Sequence, residues 1–134
     1  MLKKILLLGL LFSLSACQTA PKSGGSSSSA DYNALFDSIM QQEQAWAGLS
    51  TQKITVRGGD MGHTVGGPAD GEAMGLSHGW TGDRNNWNRM AKYLTGKYRV
   101  YIPDLPGHGE SSSGIELDYS MAEQSSVMKA FVDE

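Results

Sequence analysis

One cysteine, Cys17, stands among the 134 residues. That excludes an intramolecular disulfide, so any fold must rest on its apolar core. The sequence also lacks an apolar run long enough to span a bilayer comfortably as a mature helix. Its longest, Ile5 to Leu14, is broken by Gly9 and Ser13. Basic charge is short too, with 11 Lys and Arg against 14 Asp and Glu. No internal repeat is visible, and the length suits one ordinary domain.

The first residues have a different character. Lys3 and Lys4 precede the apolar run, and a small-residue site, Leu14-Ser15-Ala16-Cys17, follows it. This is the layout of a secretory signal, expected over residues 1–16. Leu-Ser-Ala-Cys resembles the bacterial lipobox, whose cysteine carries a diacylglyceryl group. The resemblance makes Cys17 the lipidation site and a membrane the partner it binds through its acyl chains. Gln18, rather than Asp, after the cysteine implies the outer membrane of a Gram-negative envelope. Without residues 1–16, nine basic side chains face fourteen acidic ones, a formal charge of −5. That excludes nucleic acid as a main partner.

Residues 17–30 form a tether, with Pro21, Gly24, Gly25 and four consecutive serines from Ser26. Residues 31–51 hold an amphipathic helix from Asp31 to Ala47, with Asp31 as N-cap and Gly48 as C-cap. Tyr32, Leu35, Phe36, Ile39, Met40 and Trp46 share one face, which is expected to pack on the domain. The opposite face has no Lys or Arg and suits water better than lipid headgroups.

Residues 52–134 alternate strands with helices, which implies an α/β architecture with a mostly parallel sheet. Gln52 to Arg57 reads as a strand. The glycine-rich stretch from Gly58 to Gly75 leaves room only for a short strand at Met61 to Val65. Ala73 to Ser77 reads as the next strand. Asn85 to Leu94 reads as a helix with Trp87, Met90, Ala91 and Leu94 inward and Gly96 just past its end. Lys97 to Ile102 is the best strand. Ser120-Met121-Ala122-Glu123 is a capping box opening a helix that carries Met121, Met128, Phe131 and Val132.

Two motifs frame the helix Asn85–Leu94. His78-Gly79-Trp80 ends a strand, and Asp104-Leu105-Pro106-Gly107-His108-Gly109-Glu110-Ser111 follows the strongest one. With Asp83-Arg84-Asn85-Asn86-Trp87 between them, this arrangement resembles the α/β-hydrolase fold family, particularly its lipases and esterases. The resemblance runs from about Lys53 to Glu134. It implies a serine hydrolase of carboxylic esters acting on ester or lipid substrates, without metal or organic cofactor. It makes the backbone N–H of Trp80 an oxyanion-hole donor, with His78 and Gly79 as loop residues beside it. Asp104, Gly107 and Gly109 become structural residues of the second loop, and neither His78 nor His108 the catalytic base.

Gly75-Leu76-Ser77-His78-Gly79 matches the nucleophile-elbow pattern G-x-S-x-G. An elbow needs a strong strand before its serine and a helix directly after it. Here a weak segment, Glu72-Ala73-Met74, precedes Ser77 and a loop follows, so the match reads as chance. The nucleophile, acid and base are then absent, and an inactive partial α/β-hydrolase fold, cut before the elbow strand, is expected. Met74-Gly75-Leu76-Ser77 is also less apolar than a fully buried strand requires. The competing reading is a small non-enzymatic envelope lipoprotein with a binding role. The sequence sets no oligomeric state.

Overall fold

The computed structural model describes residues 29–112 and 117–134. The expected signal segment, Cys17 and nearly all of the tether lie outside the described residues. Helix α1, Ser29–Trp46, is followed by strands β1, Leu49–Val56, and β2, Gly59–Gly66. Strand β3, Ala73–Gly75, leads through a long loop to a 3-10 turn, Arg84–Trp87, and a short helix α2, Asn88–Ala91. Strand β4, Arg99–Pro103, and helix α3, Met121–Asp133, complete the order.

The four strands form one mixed sheet in the order β1-β2-β4-β3. β2 runs antiparallel to β1 and β4, whereas β3 and β4 are parallel, with Met74 opposite Val100. Alternation along β4 sends Val100 and Ile102 to one face and Tyr101 to the other. Val100 and Ile102 pack with Ala47, Leu49 and Ala91, and with the partly buried Trp87 and Leu94. The second cluster joins Val56 and Met61 to Val127 and Phe131 of α3. Helical segments thus cover both faces, as in an α/β domain.

Several local expectations are corrected. The glycine-rich stretch does not loosen after Arg57; eight of its residues form β2 in the middle of the sheet. Its glycines serve close packing. A Cβ on Gly62 would come within 2.9 Å of the Glu110 Cβ and 3.3 Å of the Arg84 guanidinium. Asn85–Leu94 is not one continuous helix. Only Asn88–Ala91 is α-helical, after the 3-10 turn that the Asp83 side chain caps by accepting from Asn85 N at 2.8 Å. Trp87, Ala91 and Leu94 point inward, but Met90 is exposed. Gly96 therefore terminates no helix.

Most of the apolar face of α1 does not pack on the domain: Tyr32, Leu35, Phe36, Ile39 and Trp46 are exposed, and of that face Met40 alone is partly buried. Polar contacts hold the end of this helix instead. Gln44 Nε2 donates to Asn85 Oδ1 at 2.8 Å, and Arg89 pairs with Glu43 at 2.7 Å. The helix already includes Ser29 and Ala30, so Asp31 is not its N-cap. Gly48, with φ of 65°, closes its C-terminal end. At α3, Ser120 Oγ accepts from Glu123 N at 3.2 Å, forming half of the capping box. The other half is replaced: Ser120 N donates to Asp118, and Glu123 pairs with Arg57 at 2.8 Å. Met121 and Val132 are exposed, and the buried residue of α3 is Val127.

Candidate active site

β3 and β4 lie side by side and parallel, so the loops leaving their C-terminal ends are neighbours. The first carries Ser77, His78, Gly79 and Trp80. The second carries Asp104 to Ser111. Crevices beyond the carboxyl ends of parallel strands are where α/β sheets bind ligands. Here a cavity of about 680 Å³ opens, lined by Trp80, Leu105, His108, Met121, Met128 and Val132 among others.

His78 is buried. Its Nε2 accepts the backbone N–H of Leu105 at 2.9 Å. That donor leaves the ring proton on Nδ1, which bonds Gly79 O at 2.8 Å. Gly79 O also accepts from Gly82 N at 3.1 Å. The Gly79–Trp80 peptide is therefore held from its carbonyl side by two donors. Because the peptide is trans, its N–H points the opposite way. Among the described residues nothing accepts from the Trp80 N–H. Trp80's side chain is 82% exposed and sits at the cavity mouth.

His108 reaches back from the second loop. Its Nε2 lies 2.6 Å from Trp80 O and its Nδ1 3.1 Å from Pro106 O. The two imidazole rings are tilted against each other, with centroids 5.1 Å apart.

Beneath the second loop lies a buried ionic cluster. Asp104 is fully buried and accepts from Arg84 N at 2.8 Å and Glu110 N at 2.9 Å. It also pairs with the Arg84 guanidinium, which reaches Glu110 Oε1 at 2.5 Å. Burial works against the charge of Arg84, but Glu110 and Asp104 outweigh it and raise its affinity for the proton. Ser111 Oγ donates to Asp104 O at 2.8 Å and accepts from Gly62 N at 3.0 Å, tying the loop to β2. Gly107 and Gly109 hold φ of 77° and 50°. A Cβ on Gly109 would fall on the Asp104 carboxylate, so only glycine fits there.

Among the described residues Ser77 has no catalytic partner. It follows the three-residue β3 and precedes a loop rather than a helix. Its Oγ donates to His78 O at 3.3 Å. Both nitrogens of the adjacent His78 are already bonded to backbone groups, so neither can take the Ser77 proton.

Sequence reasoning missed the partners of Asp104. Arg84 lies twenty residues upstream and Glu110 inside the motif, and only the fold brings all three together. It also missed His63 on β2, buried with its ring 5.3 Å from that of Phe131. Burial lowers the His63 pKa, with the Arg84 charge acting in the same direction and a hydrogen bond with the Met61 backbone opposing it. Among the described residues no group of three or more His, Cys, Asp or Glu could hold a metal ion.

Residues 74–134 match the family model of the α/β hydrolase fold. The chain is 37% identical over 126 residues to Lipase 1 of Psychrobacter immobilis, covering 89% of this chain and 36% of that lipase. Among solved structures, a protein provisionally assigned as a lipase from Acinetobacter baumannii superimposes with a TM-score of 0.70. It is 41% identical over 73% of this chain and 33% of that one. A membrane phospholipase A gives a TM-score of 0.72 at 32% identity, over 75% of this chain and 33% of the phospholipase. The chain spans about a third of the length of these relatives.

Proposed function

From a chain that carries a partial α/β-hydrolase fold, we propose the oxyanion-loop half of a serine carboxylic-ester hydrolase of the lipase or esterase type. The observation that carries this is the Gly79–Trp80 peptide. Its carbonyl is pinned by His78 and Gly82, while its N–H has no acceptor among the described residues and Trp80 lines a largely apolar cavity. Ester hydrolysis builds negative charge on the former carbonyl oxygen. A preorganised N–H aimed at that oxygen contributes about 3–4 kcal/mol to lowering the barrier. Two hydrogen bonds on the carbonyl side polarise the peptide and strengthen the N–H as a donor. Trp80, Leu105, Met121 and Met128 offer apolar surface for an acyl chain.

In this reading the 134 residues do not hydrolyse esters by themselves, because Ser77 has no base among the described residues and no other serine stands in an elbow pattern. Two measurements test it. The DNA following the Glu134 codon, translated in all frames, should encode a strand and a G-x-S-x-G elbow; its absence there would sink the hydrolase reading. The purified chain should show no turnover of p-nitrophenyl butyrate. Turnover abolished by Ser77→Ala would instead make Ser77 the nucleophile.

The proposal extends to location: Cys17 carries a lipid and holds the domain on the outer membrane. Support comes from the Leu-Ser-Ala-Cys site after the apolar run. Radiolabelled palmitate fed to expressing cells should enter the chain and be lost in Cys17→Ser. Equal labelling of both would refute lipidation there.

A further inference from the structure

The two loops of the site are joined by a pair of reciprocal histidine contacts. His78 of the first loop accepts from Leu105 of the second. His108 of the second reaches Trp80 of the first. The partners differ in kind. Leu105 offers a donor and Gly79 an acceptor, so a neutral ring with one N–H satisfies both contacts of His78. His108 faces two carbonyl oxygens, of Trp80 and Pro106, at 2.6 and 3.1 Å. A neutral imidazole has one N–H and can serve only one of them; the doubly protonated ring serves both.

Trp80 is thus pinned on both sides of its Cα. His78 and Gly82 hold the peptide before it, and His108 holds the peptide after it. Fixing both peptide planes fixes the direction of the Trp80 N–H. We infer that His108 is a positioning residue for the Trp80 backbone, and that it closes this clasp in its doubly protonated form and loosens it on losing a proton. The inference deepens the reading of Trp80 as an oxyanion donor and supplies a proton-dependent regulation of that donor. The titratable and charged groups around His108 are the His78 ring from the first loop, Tyr119 before α3, and Lys129 of α3 on the same cavity. Asp104 and Glu110 flank it in its own loop.

The test uses the full chain, labelled with 15N and 13C, followed by NMR from pH 5 to pH 8. The Trp80 and Thr81 amide resonances should move with the midpoint of the His108 ring and not with those of His63 or His78. In His108→Gln, which keeps one donor nitrogen but has no group that titrates, these two amides should lose their pH dependence. In His108→Ala they should rest at the high-pH position of the unmodified chain at every pH. Amides that follow His78 instead, that ignore pH, or that titrate unchanged in His108→Gln would overturn the inference. So would resonances too broad to observe at low pH, where the clasp should be closed. The outcome is independent of ester turnover. A titrating clasp on a protein whose full gene encodes no elbow serine would leave the clasp standing and remove the hydrolase reading.

Discussion

Gly109→Ala should be among the most damaging single-methyl additions in this protein, and Gly107→Ala far milder. Both glycines have positive φ, 50° and 77°, so either alanine takes on roughly 1–2 kcal/mol of backbone strain. They differ in what the new methyl meets. At Gly107 it comes within 3.1 Å of the ring of Tyr119, a residue 38% exposed, which has to give by only a few tenths of an ångström. At Gly109 it lands on the Asp104 carboxylate, which is fully buried and fixed by two backbone amides and Arg84. Moving that carboxylate leaves the guanidinium buried with Glu110 alone. Breaking a buried pair costs about 3–5 kcal/mol, part of which Glu110 recovers here. The expected totals are about 4 kcal/mol for Gly109→Ala and about 1–2 kcal/mol for Gly107→Ala. Urea unfolding followed by circular dichroism reads the difference. With a slope of about 2 kcal/mol per molar, typical for this size, the midpoints should fall by about 2 M and by less than 1 M. Equal shifts would show that the ionic cluster does not set the shape of the loop.

Other predictions follow from the same contacts. Asp104→Asn keeps the volume but removes the charge opposite Arg84, and should cost about 3 kcal/mol or more in the same unfolding assay. His63 is held below its ordinary pKa of 6.5 by burial, so the unfolded chain binds its proton more readily. Its contribution to stability is complete above about pH 6.5 and is lost as pH falls below that value. The melting temperature should therefore drop from pH 7 toward pH 5, and His63→Gln should flatten the slope; an unchanged slope would clear His63 of the effect. Ser120→Ala removes the N-cap of α3 and should cost about 1 kcal/mol, readable as a shifted thermal midpoint. Ile102→Ala empties a fully buried site on β4 and should cost about 2–5 kcal/mol, or leave no cooperative transition.

The elements most legible in the sequence were those whose cause is local. β4 follows from a run of aromatic and β-branched residues, and the N-cap of α3 from a serine three residues before a glutamate. The partial α/β-hydrolase fold was implied by two motifs at a fixed spacing and is borne out, but its sheet is mixed rather than mostly parallel, with only β3 and β4 running parallel. Glycine misled in β2, because its local cost is visible in sequence while the close approach of Arg84 and Glu110 that requires Gly62 is not. Asn85–Leu94 misled in the opposite sense. Its apolar spacing is helical, but the Asp83 cap opens it as a 3-10 turn, and Asn85 and Asn88 bond α1. The apolar stripe of α1 has helical spacing yet no partner face on the sheet, since polar contacts near Gln44 set how that helix leans. The Arg84–Asp104–Glu110 cluster was invisible because its members meet only after β4 has passed beside β2.

β3 has β4 on one side and, among the described strands, no neighbour on the other. Its bare flank is only Ala73 to Gly75, too short for backbone bonding alone to discriminate between incoming strands. Ala73 and Gly75 share a cavity with Met128, Phe131 and Val132 of α3 and, across the face of the sheet, with Ile54, His63 and Tyr101. The bonds tied around Asp104 lie on the far side of β4, where Ser111 joins the loop to β2. The loops that hold Trp80 draw their bonds from one another, so the bare flank of β3 takes no part in holding them.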